Sequence, residues 1–347
     1  MIKPLTSLRF FFALMVFFSH VPYPYNHVIY RILSNGSVGV SFFFILSGFI
    51  LSYNYQRKFS ENYNQKKFWI DRFLRIYPLH LFVLFLITFL FLILGFNSLL
   101  ILKQFVFHLF LIQNYIHIKE IYSSLNKPAW SICCEMFFYF IFPFIILKIK
   151  KNNILFILLL IVFAFLLYYI NPHGSMFIGI NPFIRLSDFI IGILSFQLYG
   201  KLKVYFEKLK YYQYNLLEFF ALIILFTSLV FSHLINYYQL FPLFWVPMVI
   251  FIITMSYSKG ILAKILSQNF LILLGEISYS IYMTHYLILT VLTSFFRDSF
   301  IFSNRPIFIS SFLAITITFS YFTYKIIEIG TLRRTKSKFY NLFNIKN

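Results

Sequence analysis

Two ionisable residues interrupt an apolar run near the start of the chain: Arg9 and His20, within SLRFFFALMVFFSH from Ser7 to His20. Eleven positions are close to three helical turns, so on a helix the two share a face, about 16 Å apart along the axis. A guanidinium suits phosphate or carboxylate. An imidazole changes its protonation near neutral pH. A second polar face lies in WSICCEMFFYFIFP, where Ser131, Glu135 and Tyr139 recur at i, i+4 and i+8. A carboxylate at that depth needs a cation, a donor or a proton. In LGEISYSIYMTHYLIL, Ser278, Tyr282 and His285 share a face, and taken alone His285 reads equally well as a core histidine. RFLRIYP sets Arg72 and Arg75 one turn apart, a spacing that suits phosphate and that also serves as topology-setting charge. RLSDFIIG, from Arg185 to Gly192, places Arg185 and Asp188 at i, i+3, most simply a structural ion pair within one helix. In GVSFFFILSGFILS, Ser41, Ser47 and Gly48 allow a neighbouring helix to approach closely.

The elements that must hold these residues are membrane spans. Of 347 residues, 60% are hydrophobic and 12% charged, against about 45–50% and 25% in a soluble domain. Buried ionisable residues in such a chain are functional candidates by default. Apolar runs of bilayer length fall near 5–22, 37–55, 77–96, 129–147, 154–170, 183–199, 216–233, 241–258, 271–291 and 306–326. The run 104–118 is shorter and is broken by His108, Gln113, Asn114 and His117; it reads as a re-entrant or interfacial helix. The expected fold is therefore all-α, a polytopic bundle of about ten transmembrane helices plus that extra helix, with both termini cytoplasmic. This arrangement gathers most Lys and Arg on the inner side, as the positive-inside rule requires. An eleventh span at 104–118 would move Lys148, Lys150 and Lys151 outside. The net charge of +20 follows from the same rule and does not point to nucleic acid. Residues 1–330 form one integral membrane domain, and 331–347 a short basic cytoplasmic tail near anionic headgroups. Residues 5–22 read as a retained span, not a cleaved leader. Cys133 and Cys134 are adjacent and point about 100° apart on a helix, so no disulfide joins them, and no metal-ligand spacing is present.

Taken in order, Arg9-x10-His20, GVSFFFILSGFILS, RFLRIYP, LIQNY at 111–115, WSICCEMFFYFIFP, RLSDFIIGIL and SYSIYMTHYLI resemble the successive motifs of the acyltransferase family 3 integral membrane proteins, over about residues 5–330. The resemblance implies a multi-pass protein of the bacterial cytoplasmic membrane. Its implied reaction moves an acyl group, usually acetyl, from cytosolic acetyl-CoA to a hydroxyl of a surface glycan such as O-antigen, capsule or lipopolysaccharide. Carried over by position, the family's Arg and His fall on Arg9 and His20, its motif acid on Glu135 and its paired arginines on Arg72 and Arg75. Many members carry a second acid after the motif Glu; this chain has Met136 there.

The implied mechanism puts CoA phosphates on Arg72 and Arg75, with Arg9 deeper on the pantetheine or pyrophosphate. His20 is the general base for a sugar hydroxyl or a transient acyl carrier, and Glu135 orients it or stabilises its charge. His285, Tyr282 and Ser131 support the acceptor or the oxyanion. Acetyl-CoA is a donor substrate, no cofactor is held permanently and no metal is expected. Partners are acetyl-CoA, a glycan acceptor and membrane lipids, without nucleic acid. The acceptor sugar, the acyl length and the oligomeric state are not legible. The rival reading is a polysaccharide flippase or polymerase, which shares spans and buried charges but performs no acyl transfer.

Overall fold

The computed structural model describes residues 2–22, 32–33, 35–61, 63–150, 179–232, 241–299 and 303–343. The span expected at 154–170 lies outside the described residues. The principal helices, in chain order, are α1 (Lys3–Ser19), α2 (Gly36–Ser60), α3 (Gln65–Ile93), α4 (Ser98–Leu109), α5 (Trp130–Lys150), α6 (Pro182–Glu207) and α7 (Tyr211–Ser232), followed by α8 (Trp245–Ser256), α9 (Ile261–Leu266), α10 (Asn269–Glu276), α11 (Ser278–Phe295), α12 (Arg305–Thr323) and α13 (Gly330–Leu342). No strand occurs among the described residues.

Local sequence explains several starts. The Asn64 side chain accepts from the backbone N–H groups of Lys66 and Lys67 at the head of α3. Asn97, Asn181 and Asn304 do the same for α4, α6 and α12, and Pro182 and Pro306 follow their caps in the first turn, where a missing N–H is harmless. Six helices among the described residues are long and apolar enough to cross a membrane, or seven if α10 and α11 count as one interrupted span. The sequence reads 271–291 as continuous; the structure interrupts it at Ile277. The apolar run at 104–118 yields only the end of α4, then Leu111 at φ 54° and a single 3-10 turn at Gln113–Tyr115. α4 has 12 residues, about 18 Å of helix, short of the hydrocarbon thickness.

The chain divides into two compact units, residues 1–63 with 142–276 and residues 64–141 with 277–347. In the first, helix contacts run through residues with little or no side chain. A Cβ on Gly48 of α2 would meet the Phe189 carbonyl oxygen at 2.1 Å, and one on Gly192 of α6 would meet that of Ile45 at 2.0 Å. The same closeness holds α1, where a Cβ on Gly275 would lie 1.9 Å from the Thr6 oxygen. Ser7 donates to the Leu266 carbonyl at 2.5 Å, and Phe12 stacks on Phe42 at 3.6 Å. Beneath them, Leu5, Leu8, Met15, Ile45, Phe49 and Met248 form part of a continuous apolar core. Glu218 of α7 caps α9, accepting from the N–H groups of Gly260, Leu262 and Ala263 at 2.9, 2.8 and 3.3 Å.

In the second unit α11 packs on α12 and on α3, and α13 packs along α3. A π turn, Tyr324–Ile329, joins α12 to α13. Thr284 and Ser320 hydroxyls meet at 2.9 Å across the α11–α12 contact. Such pairs satisfy polar groups that hydrocarbon cannot.

Replacing Gly192 with Ala forces backbone apart and is expected to lower stability by about 2–3 kcal/mol. Gly200, on the same helix, has nothing within 4 Å of an added Cβ; Gly200→Ala should be neutral or stabilising by up to about 1 kcal/mol. Thermal unfolding of the detergent-solubilised protein checks both.

Candidate active site

The second unit builds its site on the head of α5. The segment before it is held by side chains: Tyr282 donates to the Pro128 carbonyl at 3.0 Å, Ser131 to the same oxygen at 3.1 Å, and Asn126 to the Met283 carbonyl at 3.1 Å. From the LIQNY segment, Gln113 donates to the Ala129 carbonyl at 3.3 Å and Asn114 to that of Trp130 at 2.7 Å. Tyr282 and Ser131, expected beside the acceptor, thus hold the frame on which Glu135 stands. His285 is fully buried on α11, its Nδ1 3.1 Å from the Ile281 carbonyl and its ring 6.1 Å from that of Tyr282.

One turn into α5, Glu135 accepts a hydrogen bond from the Tyr139 hydroxyl. The Arg72 guanidinium lies 5.9 Å from the centre of the Tyr139 ring, and Arg75 is within electrostatic reach of the same phenol. Carboxylate, phenol and two cations therefore gather on the faces of α3 and α5. Pro143 helps to fix this geometry. It has no N–H, so the Tyr139 carbonyl, four residues earlier, lacks its helical donor. The Trp69 indole supplies one at 3.2 Å, which ties α3 to α5 at the residue that bonds Glu135. Met136, by contrast, lines an apolar groove of about 600 Å³ with Tyr77, Leu111, Tyr115, Cys133 and Phe137. Met136, next to Glu135 in the chain, thus faces this groove rather than the Glu135–Tyr139 bond.

A second carboxylate comes from a residue that sequence reading passed over. Glu328 is 9% exposed, sits on the π turn and accepts from the Ser280 hydroxyl. Tyr279, which donates to the Ile76 carbonyl at 2.8 Å, is within electrostatic reach of Glu328, Glu135, Tyr139 and Arg75 alike. The available signal was a lone acid in YKIIEIG just past the last apolar run. A π turn re-aims one residue against the helical repeat, and that re-aiming is not visible as periodicity. Also unanticipated is His80, whose Nε2 lies 2.9 Å from the His108 carbonyl, while His108 Nε2 lies 3.1 Å from the Ser124 hydroxyl. Both rings are buried, and together they fasten the α4 segment to α3.

In the first unit Arg9 is half-buried on α1 and His20 is the residue that caps its C-terminus. His20 Nδ1 lies 2.9 Å from the Val16 carbonyl. That contact requires a proton on Nδ1 and leaves the neutral ring's lone pair on Nε2, the atom suited to accept a proton or attack a carbonyl. Arg185 and Asp188 pair at 2.9 Å with 2% and 0% of their side chains exposed. Ser41 accepts from Arg185 at 2.8 Å, Trp245 donates to Asp188 at 2.5 Å, and the guanidinium lies 5.1 Å from the Phe44 ring centre. The pair is a buried hub joining α2, α6 and α8.

Residues 3–325 match a family model described as an acyltransferase domain. The chain is 36% identical over 150 residues to acyltransferase MdmB of Streptomyces mycarofaciens, covering 40% of this chain and 38% of that protein. It is 25% identical over 323 residues to a Staphylococcus aureus (strain COL) protein provisionally named an O-acetyltransferase, covering 85% of this chain and 52% of the relative. A similar relation, 25% over 297 residues, holds with O-acetyltransferase OatA of Staphylococcus aureus (strain NCTC 8325), covering 76% and 48%. The chain spans about half or less of the length of these curated relatives. No solved structure matches it.

Removing one member of the buried hub leaves a charge without its partner. Arg185→Met is expected to destabilise by about 3–5 kcal/mol, and the double change Arg185→Met with Asp188→Leu by less than the single one. Thermal unfolding of the three proteins gives the comparison.

Proposed function

The chain belongs to the acyltransferase family whose domain model it matches, and on that premise we propose that it is an O-acetyltransferase of a bacterial cytoplasmic membrane. The donor is cytosolic acetyl-CoA and the acceptor a hydroxyl of an extracytoplasmic polysaccharide or glycolipid. The observation that carries this reading is the gathering of Glu135, Tyr139, Arg72 and Arg75 on two apolar helices. Ionisable groups at such depth are retained where they bind or react.

In this reading Arg72 and Arg75 hold the phosphates of the donor, a role suited to guanidinium groups one turn apart. Arg9 binds pantetheine or pyrophosphate. The acceptor oxygen attacks the thioester carbonyl, the C–O bond forms and the C–S bond breaks. The proton lost by the hydroxyl passes through His20 to the departing thiolate, giving the ester and free coenzyme A. Alternatively, Nε2 of His20 takes the acetyl group first, releasing coenzyme A, and the hydroxyl then displaces the imidazole. The family reading gives Glu135, held by Tyr139, a charge-stabilising role in either route. The 16 Å or so between Arg9 and His20 along α1 matches a helix that meets the donor at one end and the acceptor at the other. His285 steadies the oxyanion from within the α11 face.

Mass spectrometry of surface polysaccharide from cells with and without the gene should show an acetyl increment that depends on it. His20→Ala should abolish that increment while the protein remains in the membrane. Retention of wild-type acetylation would exclude both roles given to His20. An acetyl–histidine adduct trapped without acceptor would select the carrier route.

A further inference from the structure

Asp71 is the one acid among Lys66, Lys67, Arg72 and Arg75 at the head of α3. It is bonded in sequence to Arg72 and stands four residues before Arg75. On an isolated helix an aspartate and an arginine at i, i+4 face each other and pair. Such a pair would cancel part of the positive charge that an anionic donor needs. The folded chain arranges these charges differently. Asp71 accepts from the Tyr340 hydroxyl at 2.6 Å and pairs with Lys336 at 2.9 Å, both residues of α13. The Asp71 side chain is only 12% exposed, and Tyr340 is buried. The ammonium groups of Lys67 and Lys336 lie 5.2 and 5.4 Å from the centre of the Tyr340 ring. The basic tail is therefore a docked helix whose inner face closes on a single carboxylate. Arg333, Arg334 and Lys338 stay exposed on its other face.

We propose that Lys336 and Tyr340 are positioning residues that hold the Asp71 carboxylate on α13, so that it does not neutralise Arg72 and Arg75 as they bind the phosphates of the donor. This rests on the role given above to the two arginines. Asp71 hydrogen-bonded and ion-paired to α13 is compensated where it stands. Asp71 released from α13 has a cation one turn away on its own helix. The latch thus sets the local charge seen by an anionic ligand without touching it, and removing the acid should make the latch unnecessary.

Coenzyme A is titrated into the purified full chain in detergent micelles, and its dissociation constant is read for four proteins beside the wild type. Arg72→Gln with Arg75→Gln should weaken binding at least about tenfold; if it does not, the phosphate role of the arginines fails and the latch has nothing to protect. Lys336→Gln with Tyr340→Phe should weaken it about fivefold. Adding Asp71→Asn to that pair should return binding to within about twofold of the wild type. Asp71→Asn alone should bind as well as the wild type or better, a result that also stands if the latch double variant fails to fold. Where the arginine variant weakens binding, two results overturn the latch: an unchanged constant for Lys336→Gln with Tyr340→Phe, or an Asp71→Asn protein as weak as that pair.

Discussion

A polar group in hydrocarbon has no water to fall back on, and this constraint shapes how the described polar side chains of the bundle find partners. The Tyr139 carbonyl shows it most plainly. Pro143 deprives it of its helical donor, and an indole from another helix takes the vacant place. The repair pins α3 to α5 at the level of Arg72 and Tyr139. The phenol that bonds Glu135 is thereby fixed at both its backbone and its hydroxyl. A carboxylate in an apolar bundle needs such support, because a donor that wanders leaves a buried charge uncompensated.

The same rule separates isolated pairs from larger clusters among residues of similar type. Arg185 and Asp188 pair with each other and bond Ser41 and Trp245, all within a buried helix junction. Arg72 and Arg75 lie instead on a face shared with Tyr139, Tyr279 and two carboxylates. Tyr282 and Ser131 bond one backbone carbonyl and so contribute by holding the segment ahead of Glu135. Where the chain can omit side chains, at Gly48, Gly192 and Gly275, backbones touch, and van der Waals contact supplies what the hydrophobic effect cannot supply between helices in lipid.

Much of this was legible beforehand. Composition alone gives a helical membrane protein, because only helices and closed barrels satisfy a backbone in hydrocarbon and the apolar runs have helical length. Arg185 beside Asp188 and Glu135 beside Tyr139 follow from i, i+3 and i+4 spacing, which is a property of one helix, and Gly48 at a close helix contact from its missing side chain. The interruption at Ile277 was not legible, since an apolar run does not say which neighbours its two halves pack against. Nor was Glu328, whose direction depends on a π turn rather than on the helical repeat.

The amino-acid sequence by itself thus determined the class of fold and the short-range pairs within single helices, because hydropathy and the 3.6-residue repeat are local physics. Tertiary structure alone decided which polar groups serve the frame and which gather around a site. Asp71 is the clearest case: its own helix offers Arg75 at i+4, yet the fold gives it Lys336 and Tyr340 from more than 260 positions away. Contacts of that separation depend on how helices are packed, and no local pattern encodes them.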